Sequence, residues 1–111
     1  MPEAQFTATR TTPRFSFIAE AEVTWPKDNT RVVARISELS ARGCYVDTVN
    51  PFPLDTELNF LIRYGCSTCE LRGKVIYTHS GYGMGVLFGE MKPIHRTILN
   101  NWLEELARKS S

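Results

Sequence analysis

Apolar residues occupy every second position along residues 15–25 of the chain, and the positions between them are Ser, Ile, Glu, Glu and Thr. The apolar positions of this stretch are Phe15, Phe17, Ala19, Ala21, Val23 and Trp25. A period of two is typical of a strand that has one face in a core and the other in water. Residues 26–30, Pro-Lys-Asp-Asn-Thr, have the composition of a turn, so the first and second strands are expected to form a hairpin.

Shorter apolar runs separated by glycine- and proline-containing loops continue through the chain. They predict further strands over residues 32–36, 44–46, 57–64, 70–78 and 84–88. Short antiparallel strands leave unpaired edges unless the sheet closes on itself. The pattern therefore predicts an all-β fold, a six-stranded antiparallel β-barrel.

The apolar period changes from two to that of a helix after residue 93. The helically spaced residues are Ile94, Ile98, Trp102, Leu103 and Leu106. Pro93 suits the first helical turn, and Arg108 and Lys109 would lie at the negative end of the helix dipole. We expect an amphipathic C-terminal α-helix that caps the barrel.

The length of 111 residues fits one domain. Residues 1–13 are polar and lack periodicity, which predicts a flexible or extended N-terminal arm, and residues 14–111 would form the barrel and its helix. A net charge of +1 argues against general capture of DNA or RNA. The apolar runs fall far short of the roughly 20 residues of a membrane span, and no signal-peptide pattern is present. We therefore expect a cytoplasmic protein without membrane insertion.

Two segments carry groups that could hold an anionic, donor-rich ligand. Arg10 and Arg14 are four residues apart before the first strand, and each guanidinium is a fork of donors that matches phosphate oxygens or the O6/N7 edge of guanine. The predicted turn over residues 38–43 has Glu38 as an acceptor, Ser40 as donor or acceptor, and Gly43 for a positive φ. In the alternative interpretation Ser40 closes an ST-turn, while Glu38 and the arginines face solvent.

Catalytic and metal chemistry find little support in the sequence. The chain has two histidines and no Gly-x-Ser-x-Gly elbow, so no catalytic residue is assigned and no enzyme is expected. Cys66 and Cys69 form a lone Cys-x-x-Cys, and a zinc site would need two more ligands from Cys44, His79 or His95. We expect no metal and leave a redox or incidental role of the cysteine pair open.

Four motifs together resemble the PilZ domain family. They are Arg10-x-x-x-Arg14, Ser40-x-x-Gly43, Gly73-Lys74-Val75 and the stretch from Gly83 to Phe88, Gly-Met-Gly-Val-Leu-Phe. The resemblance covers residues 10 to 105. It implies a six-stranded barrel and a receptor or effector that binds cyclic di-GMP as a ligand, with no cofactor and no catalysis.

The resemblance also implies roles for individual residues. Arg10 and Arg14 would contact guanine and phosphate, and Ser40 and Gly43 would line the turn beneath the ligand. Glu38 stands where the family has Asp or Asn and is one methylene longer than Asp. An unidentified downstream protein is the implied partner, and a homodimer stays open. The alternative is a degenerate barrel that does not bind nucleotide and acts through a protein partner.

Overall fold

The computed structural model describes residues 13–110 of the chain. Its elements are β1 (Phe15–Trp25), β2 (Thr30–Leu39), β3 (Gly43–Asp47), β4 (Glu57–Tyr64), β5 (Ser67–His79), β6 (Gly83–Phe88) and α1 (Pro93–Ser110). The predicted fold class, an antiparallel six-stranded barrel with a C-terminal helix, is confirmed. The bounds of β1 agree with residues 15–25, where apolar residues at every second position predicted one continuous strand.

The six strands close in the order β1-β2-β3-β6-β5-β4, and β4 pairs back onto β1. Every pairing is antiparallel. Strand β6 lies between β3 and β5, so residues far apart in sequence become neighbours on the outer surface of this sheet. Closure gives every strand two partners, which removes the exposed edges that would otherwise pair with other chains.

The barrel interior is filled by the inward side chains of all six strands. Fully buried examples are Phe17, Ile36, Val46, Phe60, Ile62, Val75 and Met84. Within residues 13–109 no polar or charged side chain is buried. Each large apolar side chain removed from water stabilises the fold by roughly 1.5–3 kcal/mol, so the core needs no polar network.

The helix α1 packs against the barrel through Leu99, Trp102 and Leu106. The Trp102 ring lies 5.6 Å from those of both Phe17 and Tyr64, measured between centroids. These contacts join α1 to the start of β1 and the end of β4, so the helix covers that end of the barrel as expected. Within the described part of the chain, α1 is too polar to be a membrane span.

The predicted turns differ from the structure at two places. Strand β2 continues through Leu39, so the turn is shorter than residues 38–43 and Glu38 belongs to the strand. Leu39, the last residue of β2, is fully buried, so the strand ends on a side chain that packs into the core. Strand β5 begins already at Ser67, because Gly65, with a φ of 62°, and Cys66 suffice to reverse the chain.

Candidate functional site

The turn between β2 and β3 is built around the Ser40 hydroxyl. Its oxygen accepts hydrogen bonds from the backbone N–H of Gly43 at 3.1 Å and of Arg42 at 3.3 Å. The hydroxyl also lies 3.2 Å from the Gly43 carbonyl oxygen, which accepts from the Ser40 N–H at 2.9 Å. Ser40 therefore closes an ST-turn, as the alternative interpretation stated, and fixes the shape of the site rather than presenting a free hydroxyl.

Gly43 begins β3, and the prediction that it supplies a positive φ is wrong. Within the described residues, the glycines with positive φ are Gly65 and Gly81. The requirement at position 43 is space, because a Cβ there would lie 2.1 Å from the carbonyl oxygen of Val86 on β6. Glycine at this position lets β3 and β6 approach closely beneath the turn.

Arg14 and Glu38 form an ion pair at the rim of the turn. The Arg14 Nη1 donates to Glu38 Oε1 at 3.2 Å, and the two side chains are 37% and 41% exposed. Glu38 lies on β2 between Ser16 of β1 and Tyr45 of β3. Both side chains are thus partly exposed to solvent, as the alternative interpretation stated, but they also contact each other. An ion pair this exposed contributes only about 0–1 kcal/mol to the stability of the fold, so either side chain can leave it at little cost in free energy.

A cavity of about 130 Å³ brings these residues together on the outer surface of the barrel. Four of the five predicted site residues line it, namely Arg14, Glu38, Ser40 and Gly43. Arg10, the fifth, lies outside the described residues, so its assignment stays a prediction. The cavity thus joins the base of the arm to the β2–β3 turn.

Sequence reasoning missed Arg42 and Tyr77, which line the same cavity. Arg42 lies inside the Ser40-x-x-Gly43 motif, and its charge beside two candidate ligand residues was an available signal. Simple alternation along the predicted strand 70–78 would place Tyr77 on the same inward face as Leu71 and Val75, which are buried. A β-bulge between Val75 and Tyr77 shifts the register, so Tyr77 lies on the outer surface instead.

Three rings form an aromatic cluster beside the cavity: Tyr45, Tyr77 and His79. The Tyr45 hydroxyl lies 3.0 Å from Nδ1 of His79. Burial, followed by the neighbouring Tyr77 and by the carboxylates of Asp47 and Glu38, raises the pKa of Tyr45. The phenol therefore keeps its proton at neutral pH and can donate a hydrogen bond to Nδ1 of the imidazole.

The side chains of Cys66 and Cys69 lie in different environments and do not form a common site. Cys66 is exposed in the β4–β5 turn, whereas Cys69 is fully buried. Burial raises the pKa of the Cys69 thiol to about 11, so it stays protonated and is a poor nucleophile at neutral pH. Among residues 13–110, no group of three or more His, Cys, Asp or Glu side chains is arranged to hold a metal ion.

The model of the PilZ domain family matches residues 8–105, and the chain belongs to this family. PilZ domains are signalling receptor domains. The match includes both arginines, the β2–β3 turn and β6. No curated protein sequence matches the chain.

Solved structures with the same fold include proteins seen with cyclic di-GMP. The PilZ domain of YcgR from Escherichia coli with c-di-GMP has 15% identity and a TM-score of 0.73 over 91% of this chain and 93% of that one. The K. pneumonia MrkH–c-di-GMP complex has 17% identity and a TM-score of 0.76, over 91% of this chain and 52% of that one. The Bacillus subtilis inhibitor of motility, MotI/DgrA, has 15% identity and a TM-score of 0.72, over 91% of this chain. The chain spans about half the length of the latter two proteins.

Proposed function

We propose that the chain is a receptor domain for cyclic di-GMP, in which Arg10 and Arg14 close over the nucleotide on the outer surface of the barrel. The observation that carries this proposal is the cavity that Arg14 shares with Glu38, Ser40 and Gly43. These residues come from two segments 24 residues apart, since Arg14 precedes β1 and Glu38 is the penultimate residue of β2. The fold brings them together in the family that binds this ligand.

The chemistry of the lining fits a molecule with two phosphates and two guanines. A guanidinium binds phosphate oxygens or the guanine O6/N7 edge with two parallel hydrogen bonds. The carboxylate of Glu38 can accept from the donors on the Watson–Crick edge of guanine. The cavity, at about 130 Å³, holds only part of a dinucleotide, so the ligand would lie across its mouth with the arm arginines on the open side.

Binding would exchange the partners of the Arg14–Glu38 ion pair. Arg14 would turn from the carboxylate to the ligand, and Glu38 would accept from guanine instead. Because both side chains are more than a third exposed, opening the pair loses little free energy. The new contacts are charge-assisted and worth roughly 1.5–3 kcal/mol each, which favours the exchange.

Calorimetry with cyclic di-GMP tests the proposal. The parent protein should bind, and Arg14→Ala should lose at least about tenfold in affinity, following the loss of one charge-assisted contact. Arg14→Lys should not restore binding, because a point charge cannot replace the planar fork. Arg63→Ala is the matched control, since Arg63 is an exposed arginine of β4 that does not line the cavity. Equal binding by Arg14→Ala and the parent would contradict the role of Arg14.

The second candidate is a degenerate barrel that does not bind nucleotide and acts through a protein partner. The Arg14–Glu38 pair favours it, because the longer carboxylate at position 38 already occupies the arginine. The same calorimetric titration distinguishes the two candidates. If the parent protein gives no binding heat at high micromolar cyclic di-GMP, the receptor function is excluded and the degenerate barrel remains. In either case we propose a downstream protein partner, and light scattering with and without the nucleotide tests for a homodimer.

A further inference from the structure

One part of the cavity lining is apolar and aromatic. Ile76 and Tyr77 of β5 and Leu87 of β6 form this part, and Ile76 and Leu87 are 46% and 43% exposed. Arg14 and Glu38 supply charge to another part. A site with a polar edge and an apolar wall matches a purine base, which has hydrogen-bonding edges and an apolar π face.

The Tyr77 ring lies over the backbone of β6. On the outer surface, Glu38, Tyr45, Gly85 and Tyr77 follow one another across β2, β3, β6 and β5. A Cβ at Gly85 would lie 2.2 Å from Cε2 of Tyr77, so glycine is required for the ring to occupy this place. Gly83 provides the same room for the Tyr45 ring, since a Cβ there would lie 2.7 Å from its Cε2. Gly83 and Gly85 thus leave space on the surface of β6 for the rings of Tyr45 and Tyr77.

Ring contacts on two sides hold Tyr77 in this position. Its centroid lies 6.2 Å from that of Tyr45 and 5.3 Å from that of His79. Tyr45 and His79 are joined to each other by the 3.0 Å contact between the phenol oxygen and Nδ1. A ring held in place before binding loses little conformational freedom when a ligand stacks on it, and this increases affinity.

The distance across the surface also suits a base. Glu38 and Tyr77 are three strands apart, which is about 14 Å between their Cα positions at the usual strand spacing. Tyr45 and Gly85 lie between them in this row, and both Glu38 and Tyr77 line the cavity of about 130 Å³, a volume on the scale of a single purine base. The alternative is that Tyr77 only packs over Gly85 and stabilises β6.

We propose that Tyr77 is the stacking residue for one base of the ligand, with its ring against the face of a guanine whose edge meets Glu38. This assignment rests on the proposed receptor function and adds to it the residue that selects a planar base. Ile76 and Leu87 would surround the stacked base and exclude water. Tyr45 and His79 are positioning residues, because they hold Tyr77 and do not line the cavity.

Calorimetry on three variants separates stacking from structural packing. Tyr77→Leu keeps apolar bulk but removes the π face, and should weaken cyclic di-GMP binding by about ten- to hundredfold. Tyr77→Phe keeps the ring and should bind within about twofold of the parent. Tyr82→Leu is the matched control, since Tyr82 is an exposed tyrosine that does not line the cavity, and it should bind like the parent. Thermal unfolding without nucleotide identifies any variant whose fold is damaged.

Ring-labelled tyrosine NMR on the unaltered protein provides a second test that does not depend on a variant folding. Saturation with cyclic di-GMP should shift the Tyr77 ring protons upfield by the ring current of the stacked guanine, more than those of Tyr82, which is exposed and does not line the cavity. A parent that binds while the Tyr77 resonances do not move, or a folded Tyr77→Leu that binds like the parent, overturns the stacking assignment alone. A parent that binds no cyclic di-GMP overturns the receptor function and this assignment together.

Discussion

Glu38 and Arg14 are each assigned to the ligand, yet in the structure they bind each other at 3.2 Å. The longer side chain at position 38 makes this contact from the end of β2. An aspartate there would withdraw the carboxylate by one methylene and lengthen the contact. On the proposed function, the identity of this residue would adjust the competition between the internal ion pair and the ligand.

We predict that Glu38→Asp tightens cyclic di-GMP binding by a few-fold, because Arg14 no longer has to leave a carboxylate. Glu38→Ala should weaken binding by roughly 1–3 kcal/mol, since the donors of guanine would lose their acceptor in a partly dry site. Calorimetry on both variants measures these effects. Thermal unfolding should barely change, because an ion pair this exposed contributes little.

Other results for these two variants would define the role of Glu38 and of the β2–β3 turn. If Glu38→Asp weakens binding, the turn is adjusted to glutamate and the carboxylate still contacts the ligand. If both variants bind like the parent, Glu38 makes no contact with the nucleotide. Arg14 and the turn that Ser40 closes would then carry the recognition without it.

At the level of elements, the interior of the barrel could be predicted from alternation, but the orientation of the site residues could not. Strict alternation from Ile36 would direct Glu38 inward, toward the core. A β-bulge between Ile36 and Glu38 shifts the register instead, so that Leu39 is buried and Glu38 joins Arg14. The bulge at Val75/Tyr77 has the same effect on Tyr77. An extra residue in one strand leaves no clear mark on the pattern of apolar residues.

The Ser40-x-x-Gly43 motif could also be predicted only in part from the sequence. Its residues could be recognised from the sequence, and four of the predicted site residues do meet at one cavity. The role of Gly43 could not be recognised, because it depends on the carbonyl of Val86, a residue 43 positions later in the chain. A glycine required by a turn and a glycine required by a neighbouring strand look identical in sequence.

We predict that Gly43→Ala destabilises the fold by about 1–3 kcal/mol or more, because its Cβ would meet backbone that cannot move without separating β3 from β6. Chemical denaturation measures the loss. Gly89→Ala is the matched control, since a Cβ there has its nearest neighbour at an ordinary 3.7 Å. Equal stability of the two variants would show that β3 and β6 separate without loss.

At the scale of the whole molecule, positive and negative charges nearly balance. Thirteen Lys and Arg face twelve Asp and Glu, which gives a net charge of +1. A nearly neutral molecule has little long-range field to steer an anionic ligand toward it. On the proposed function, the charge that meets the phosphates would have to be local, and Arg14 and Arg42 line the cavity where it is needed.

This balance predicts a particular salt dependence for nucleotide binding. Raising NaCl from about 0.05 to 0.5 M shortens the screening length from roughly 14 to 4 Å, which removes steering but only weakens direct contacts. The association rate of cyclic di-GMP, measured by stopped flow or surface binding, should fall by less than about threefold, and the affinity should weaken mainly through faster dissociation. Arg14→Ala should flatten this dependence, because it removes one of the contacts that salt screens. A tenfold fall in the association rate would instead indicate a strong positive field around the site, and an unchanged salt dependence in Arg14→Ala would place the phosphates away from Arg14.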